Sequence, residues 1–207
     1  MAKQRQANIE LLRIIAMFMI IMIHANCGAI SWPTTDEMLT SPLSTFSRYL
    51  FESIGIVSVN VFILISGWFT ITVNKLKALS FVYQVLFFNI GIYILFVATG
   101  LERISLSGIS GSILNTGWDW FIKAYIVLMI LAPVLNAFLK DDEEIVHRNV
   151  VMYFFLFSFI YGWIGGARRF FVAGYGPLSF IGLYLLSNYI NKVKRGIYTP
   201  PITLMNR

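Results

Sequence analysis

Six stretches of the chain are apolar for most of their length, and nearly all of its charge falls between them. A bilayer hydrocarbon core of about 30 Å takes roughly 20 mostly apolar residues wound as a helix. On that measure the pattern predicts helices over residues 11–30, 54–73, 79–99, 118–139, 150–164 and 177–194. The first is built on the unbroken run from Ile14 to Ile23. It is long, and no small-residue cleavage motif follows it, so it reads as a retained anchor rather than a signal peptide. The fifth and sixth are short or interrupted by glycine, and Pro177 suits the first turn of the last. Residues 196–207 carry no hydrophobic pattern and read as a disordered tail.

Basic residues order these helices across the bilayer. Lys3, Arg5, Arg13, Lys75, Lys77, Lys140, Arg148, Lys192, Lys194, Arg195 and Arg207 fall on one side, against Arg48, Arg103, Arg168 and Arg169 on the other. Cytoplasmic loops carry the excess of Lys and Arg. The pattern therefore predicts an all-α polytopic membrane bundle of about six spans with both termini in the cytoplasm. Trp118 and Trp120 then fall at the outer interface, where aromatic belts sit. The acidic stretch Asp141 to Glu144, with His147 and Arg148 behind it, reads as a solvated cytoplasmic loop.

Composition narrows the class. Of 207 residues, 57% are apolar and 13% are charged, against about 25% charged in a soluble domain. Too few charges remain for a water-facing shell, which excludes an ordinary cytosolic enzyme and a disordered protein. The lone Cys27 excludes an internal disulfide. A nucleic-acid binder would gather its positive charge on one solvated face. Here the net charge of +6 is spread between apolar runs, which is membrane topology and not nucleic-acid affinity.

Titratable groups inside an apolar span are costly and tend to face a cavity. The first span holds Arg13 and His24, with Glu10 at its opening edge. Eleven residues at 3.6 per turn put Arg13 and His24 within about 20° of one helix face and about 16 Å apart along it. Arg13 falls at the cytoplasmic lip and His24 deep in the bilayer. Helix geometry alone leaves two readings open. Arg13 snorkels to lipid phosphates and His24 is a hydrogen-bonded packing residue, or the two line an active cavity.

The segment Asn8-Ile9-Glu10-Leu11-Leu12-Arg13, followed by ten residues and His24, resembles the Arg-x10-His signature that opens the acyltransferase 3 family of membrane proteins. Asn60 to Phe69 is similar to that family's Phe-rich Ser-Gly-aromatic stretch. Trp118 to Asn136 resembles its Trp-rich helix ending in Ala-Pro, and residues 178–190 its aromatic Tyr-Leu helix. The likeness runs in order over residues 7–195.

The resemblance implies a membrane enzyme of the bacterial cell membrane with no bound cofactor or metal. It would take an acyl group, acetyl in the simplest case, from acyl-CoA on the cytoplasmic side. The acceptor would be a hydroxyl of a cell-surface or exported glycan, or of a lipid-linked sugar. It also implies His24 as the central catalytic residue and Arg13 as its companion. The chemistry suits that division. A neutral imidazole, with an ordinary pKa near ~6.5, accepts a hydroxyl proton at neutral pH. A guanidinium cannot deprotonate and suits a phosphate or a carboxylate. Glu10, three residues before Arg13, pairs with it as an interface salt bridge or contributes to the site.

Other residues carry the same two-sided reading. Asn60, Ser66 and Gly67 serve helix packing or line the acyl-CoA tunnel. Lys75 and Lys77 satisfy topology or attract CoA phosphates. The family often has Arg there. Asp119 and Lys123 form an i,i+4 pair that is structural or lines the acceptor entrance near Trp118. Arg168 and Arg169, in a glycine- and aromatic-rich segment, run against the charge asymmetry. They suit glycan or phosphate contact, or an interfacial segment.

The family's catalytic domain usually has about ten membrane helices. Six predicted spans therefore read as its N-terminal part, the simplest account being a truncated or frame-shifted copy; a cavity left open on one side by truncation would make such a copy inactive. A rival from another class is a transporter, a flippase component or a nonenzymatic membrane subunit. No two-half symmetry of broken spans supports the transporter, and a passive scaffold has no need of the Arg13/His24 stripe.

Overall fold

The computed structural model describes residues 7–113, 120–140, 143–165 and 174–196. The regular structure of these residues is helical, without strands. In chain order the helices are α1 (Ala7–Ile23), α2 (Thr35–Thr40), α3 (Pro42–Gly55), α4 (Ser58–Phe69), α5 (Lys75–Ala98), α6 (Leu106–Ile113), α7 (Trp120–Lys140), α8 (Glu144–Gly165) and α9 (Pro177–Lys194). A π-helical segment, His24–Ala29, continues α1. The described residues fall into two compact units. One lies within Met1–Thr70 and Asp142–Arg207, the other within Ile71–Asp141.

Five helical stretches are long and apolar enough to cross a membrane: Ala7–Ala29, Pro42–Phe69, Lys75–Ala98, Trp120–Lys140 and Glu144–Ile164. Their outward faces are covered with large apolar side chains, among them Phe18, Phe88 and Trp163, the last 87% exposed. Such surfaces are excluded from water, and the protein is a multi-pass membrane protein.

The second stretch starts twelve residues before the apolar run in the sequence, because α3 and α4 follow each other with only Ile56 and Val57 between them. Ser44, Ser47, Arg48 and Glu52 interrupt the apolar pattern of α3 and mask it as a span. The short α2 ahead of it is closed by a capping box. Thr34 Oγ1 accepts from Glu37 N at 3.2 Å, and Glu37 Oε2 accepts from Thr34 N at 2.9 Å.

The sixth predicted helix forms with the bounds the pattern implies, but it is not among the five. It is the interior of the first unit. Phe180, Gly182, Tyr184, Leu185, Ser187, Asn188 and Asn191 are all buried. Helix α9 packs along α4 and against α8. At Gly67 the two backbones come so close that a Cβ would lie 2.7 Å from Tyr184 O and 3.0 Å from Ser187 Cβ. The polar side chains of α9 use that proximity. Ser187 donates to Leu64 O, Asn188 Nδ2 to Thr70 Oγ1 at 3.2 Å, and Asn191 Nδ2 to Trp68 O at 2.6 Å.

His147 is a correction. Expected in solvent, it lies inside α8, 0% exposed. Its Nε2 is 3.0 Å from Leu185 O, and its ring meets Tyr189 edge-on at 5.3 Å. A carbonyl oxygen only accepts, so Nε2 carries the proton. The apolar run therefore begins late in α8. Its first turns are shielded by α9 and tolerate a polar ring.

In the second unit, α5 packs against the short α6. Asn74 caps α5, its Oδ1 accepting from Lys77 N at 2.8 Å. The end of α7 is joined to the start of the unit by Asn136 Nδ2, which donates to Ile71 O at 2.8 Å.

Candidate functional site

Helix α1 is regular through Ile23, so Arg13 and His24 keep the phase the spacing predicts. Ala16, 2% exposed, and Cys27 mark the stripe that packs into the first unit, and Arg13 and His24 fall on its flank. The His24 ring is exposed. Its Nδ1 lies 2.7 Å from Ile20 O. Because a carbonyl cannot donate, Nδ1 holds the ring proton and Nε2 holds the lone pair. Nε2 has no partner among the described residues. The helix's own backbone thereby selects the tautomer of the ring and leaves its far nitrogen available as an acceptor.

From His24 the helix widens by one residue per turn, and Ile30 N donates back to Ala25 O at 3.3 Å. Such π-helical turns are rare and recur at functional sites. This one is clamped by α3. Arg48 Nε donates to Asn26 Oδ1 at 3.3 Å, and its guanidinium also donates to Asn26 O at 3.0 Å and to Ser31 O. Asn26 Nδ2 donates to Arg48 O at 3.1 Å and to Glu52 Oε2 at 3.0 Å. Glu37 adds a longer ion pair to Arg48, at 3.8 Å. Ser31, at φ 77°, sits in the left-handed region where a non-glycine residue is uncommon. Sequence reasoning missed Asn26 and Glu52 and took Arg48 for an outer-loop charge. The available signal was the i,i+4 pair Arg48/Glu52 beside an apolar run.

The other end of α1 meets the end of α4. Arg13 NH1 lies 3.2 Å from Glu10 Oε2, and its guanidinium carbon lies 6.0 Å from the centre of the Phe69 ring. On the neighbouring residue, Lys194 Nζ lies 5.4 Å from the Trp68 ring. Thr70, which follows, has φ 59°, a strained value for a β-branched residue. Two cations thus flank a strained helix end that Asn188 and Asn191 hold by hydrogen bonds. Lys194 had been read for topology alone.

The remaining predicted residues scatter. Ser66 donates back to Phe62 O at 3.0 Å on its own helix. Asn60 is half-buried, and its Oδ1 is buried without a partner among the described residues. Lys77 Nζ donates to Thr72 O and Oγ1 at 3.2 and 2.9 Å. Lys75 and Lys123 are exposed on α5 and α7 of the second unit. Trp118, Asp119, Arg168 and Arg169 lie outside the described residues. Near the π-helical turn, Tyr175 donates to Ile56 O at 2.5 Å and so ties the segment before α9 to the junction of α3 and α4.

A family model described as an acyltransferase domain, acyltransferase 3, matches residues 6–205. No curated protein and no solved structure matches the chain.

Proposed function

Because the chain belongs to the acyltransferase 3 family, we propose that it moves an acyl group, acetyl in the simplest case, from acyl-CoA to a hydroxyl of a cell-surface or exported glycan. A lipid-linked sugar is an equivalent acceptor, and the membrane is the bacterial cytoplasmic one. The observation that carries the reading is the His24 ring, whose Nδ1–H is committed to Ile20 O. Nε2 accepts the acceptor's hydroxyl proton as that oxygen attacks the thioester carbonyl. The carbon–oxygen bond forms, the carbon–sulfur bond breaks, and the CoA thiolate recovers the proton from the imidazolium. No net proton is consumed.

Arg13 takes no part in that proton transfer, since a guanidinium stays charged throughout. Its place beside Phe69, with Lys194 on the next aromatic ring, supports a role in holding anionic phosphates of the donor. Glu10 keeps Arg13 oriented while the donor is absent.

The test is acyl transfer from radiolabelled acetyl-CoA in membranes carrying the full-length chain. With His24→Ala, transfer falls by about 10²–10⁴-fold, the usual worth of a general base, while membrane insertion is unchanged. Near-normal transfer in that variant removes His24 from the chemistry. Arg13→Lys loses activity if forked hydrogen bonding to phosphate matters. Full activity there reduces Arg13 to a point charge.

A further inference from the structure

In the second unit a cavity of about 470 Å³ opens between α5 and α6. Its walls are Asn89, Tyr93, Phe96, Glu102 and Ser112, with the glycine edge of α6 at Gly108 and Gly111. The volume lies in the range of small-molecule sites. The geometry points to a binding site for a neutral, polyhydroxylated ligand of saccharide type. This deepens the acyltransferase reading, on which it rests only for the ligand's role as acceptor.

The walls are held before any ligand arrives. Tyr93 Oη accepts from Ser105 N at 3.1 Å and donates to Ser105 O at 3.3 Å. Ser105 Oγ in turn accepts from Gly108 N at 3.0 Å. A Cβ at Gly108 would lie 2.7 Å from the Tyr93 hydroxyl, so glycine is what lets α6 close on that ring. Three polar groups keep unused capacity. Asn89 Nδ2 is buried with no partner among the described residues. The Glu102 carboxylate has no hydrogen bond or ion pair among the described residues. Ser112 Oγ donates to Ile109 O at 2.9 Å and can still accept.

That set discriminates among ligand classes. An acyl chain would leave the Asn89 amide and the Glu102 carboxylate unsatisfied. An anion would be repelled by Glu102. A metal cation needs more than one carboxylate and gains nothing from an amide N–H. A sugar ring satisfies all of them. Its hydroxyls donate to Glu102 and Ser112 and accept from Asn89, and its C–H face rests on Tyr93 or Phe96.

The test measures binding with no acyl donor present, so a failure of the transfer chemistry cannot move it. The full chain in a sugar-free detergent is titrated with D-glucose and N-acetyl-D-glucosamine, and with glycerol 3-phosphate as a headgroup probe, by saturation-transfer NMR. Saturable binding of at least one sugar is expected. Glu102→Gln and Asn89→Leu should each weaken it by about tenfold or more. Glu102 is exposed at the rim, so Glu102→Gln carries the test should Asn89→Leu fail to fold. Absence of saturable sugar binding overturns the site. So does binding that both variants leave unchanged, or a preference for glycerol 3-phosphate.

Discussion

Asn26 is the residue on which the geometry around His24 turns. It gives one amide proton pair to Arg48 O and Glu52 Oε2 and takes a guanidinium proton on Oδ1. Cutting it to alanine removes all three bonds and leaves Glu52 Oε2 and Arg48 O without the amide that joins them, while Arg48 keeps its bonds to the backbone oxygens of residue 26 and Ser31. An orphaned buried polar group costs about 1–3 kcal/mol. Asn26→Ala should therefore lower the unfolding midpoint in detergent and, on the proposed role of His24, reduce kcat more than KM, because the π-helical turn loses its register while Arg13 keeps its contacts with Glu10 and Phe69. A variant with wild-type kcat and a lowered midpoint would make the clamp a stability device only. The imidazole itself was legible in advance, since its spacing from Arg13 is a property of one continuous helix. Its tautomer was not, because that depends on where Nδ1 finds a carbonyl.

At the scale of elements, the tightest relation is α4 on α9. Gly67→Ala should cost about 1–3 kcal/mol, since its Cβ meets backbone rather than a movable side chain. Gly67→Val should abolish recovery of folded protein. The check is thermal unfolding of both variants in detergent. An unchanged midpoint for Gly67→Ala would show that the helices separate without cost. The loop before α9 makes a pH-dependent contribution. Burial raises the Tyr175 hydroxyl above its ordinary pKa, and the Glu52 carboxylate adds to the rise. A raised folded value means that the tether to Ile56 O is fully present below the unfolded pKa of about 10. It is lost as pH rises through the folded value. Tyr175→Phe should flatten that alkaline limb in a stability-versus-pH profile, and an unaltered limb would assign it to another group. Hydropathy located α9 to the residue. It missed α3 because the polar face of that helix lowers the apolar count over the same window.

For the whole molecule, contiguous chain was enough to determine the membrane class, the positions of α1, α5, α7 and α9 to within a few residues, and the common face of Arg13 and His24. Each of these follows from length, periodicity and charge counted along one segment. What the tertiary structure decided is which helix is buried inside the first unit and which polar groups find each other. Helix α9 is interior because Ser187 and Asn191 meet α4 across 123 residues of sequence. His147 is buried because Leu185 lies 38 residues ahead. Asn26 and Arg48, 22 residues apart, hold the turn at His24. A hydropathy scale prices each polar side chain as though it faced hydrocarbon alone. The cost vanishes only when a distant carbonyl or carboxylate is within about 3 Å, and that distance is a property of the packed helices.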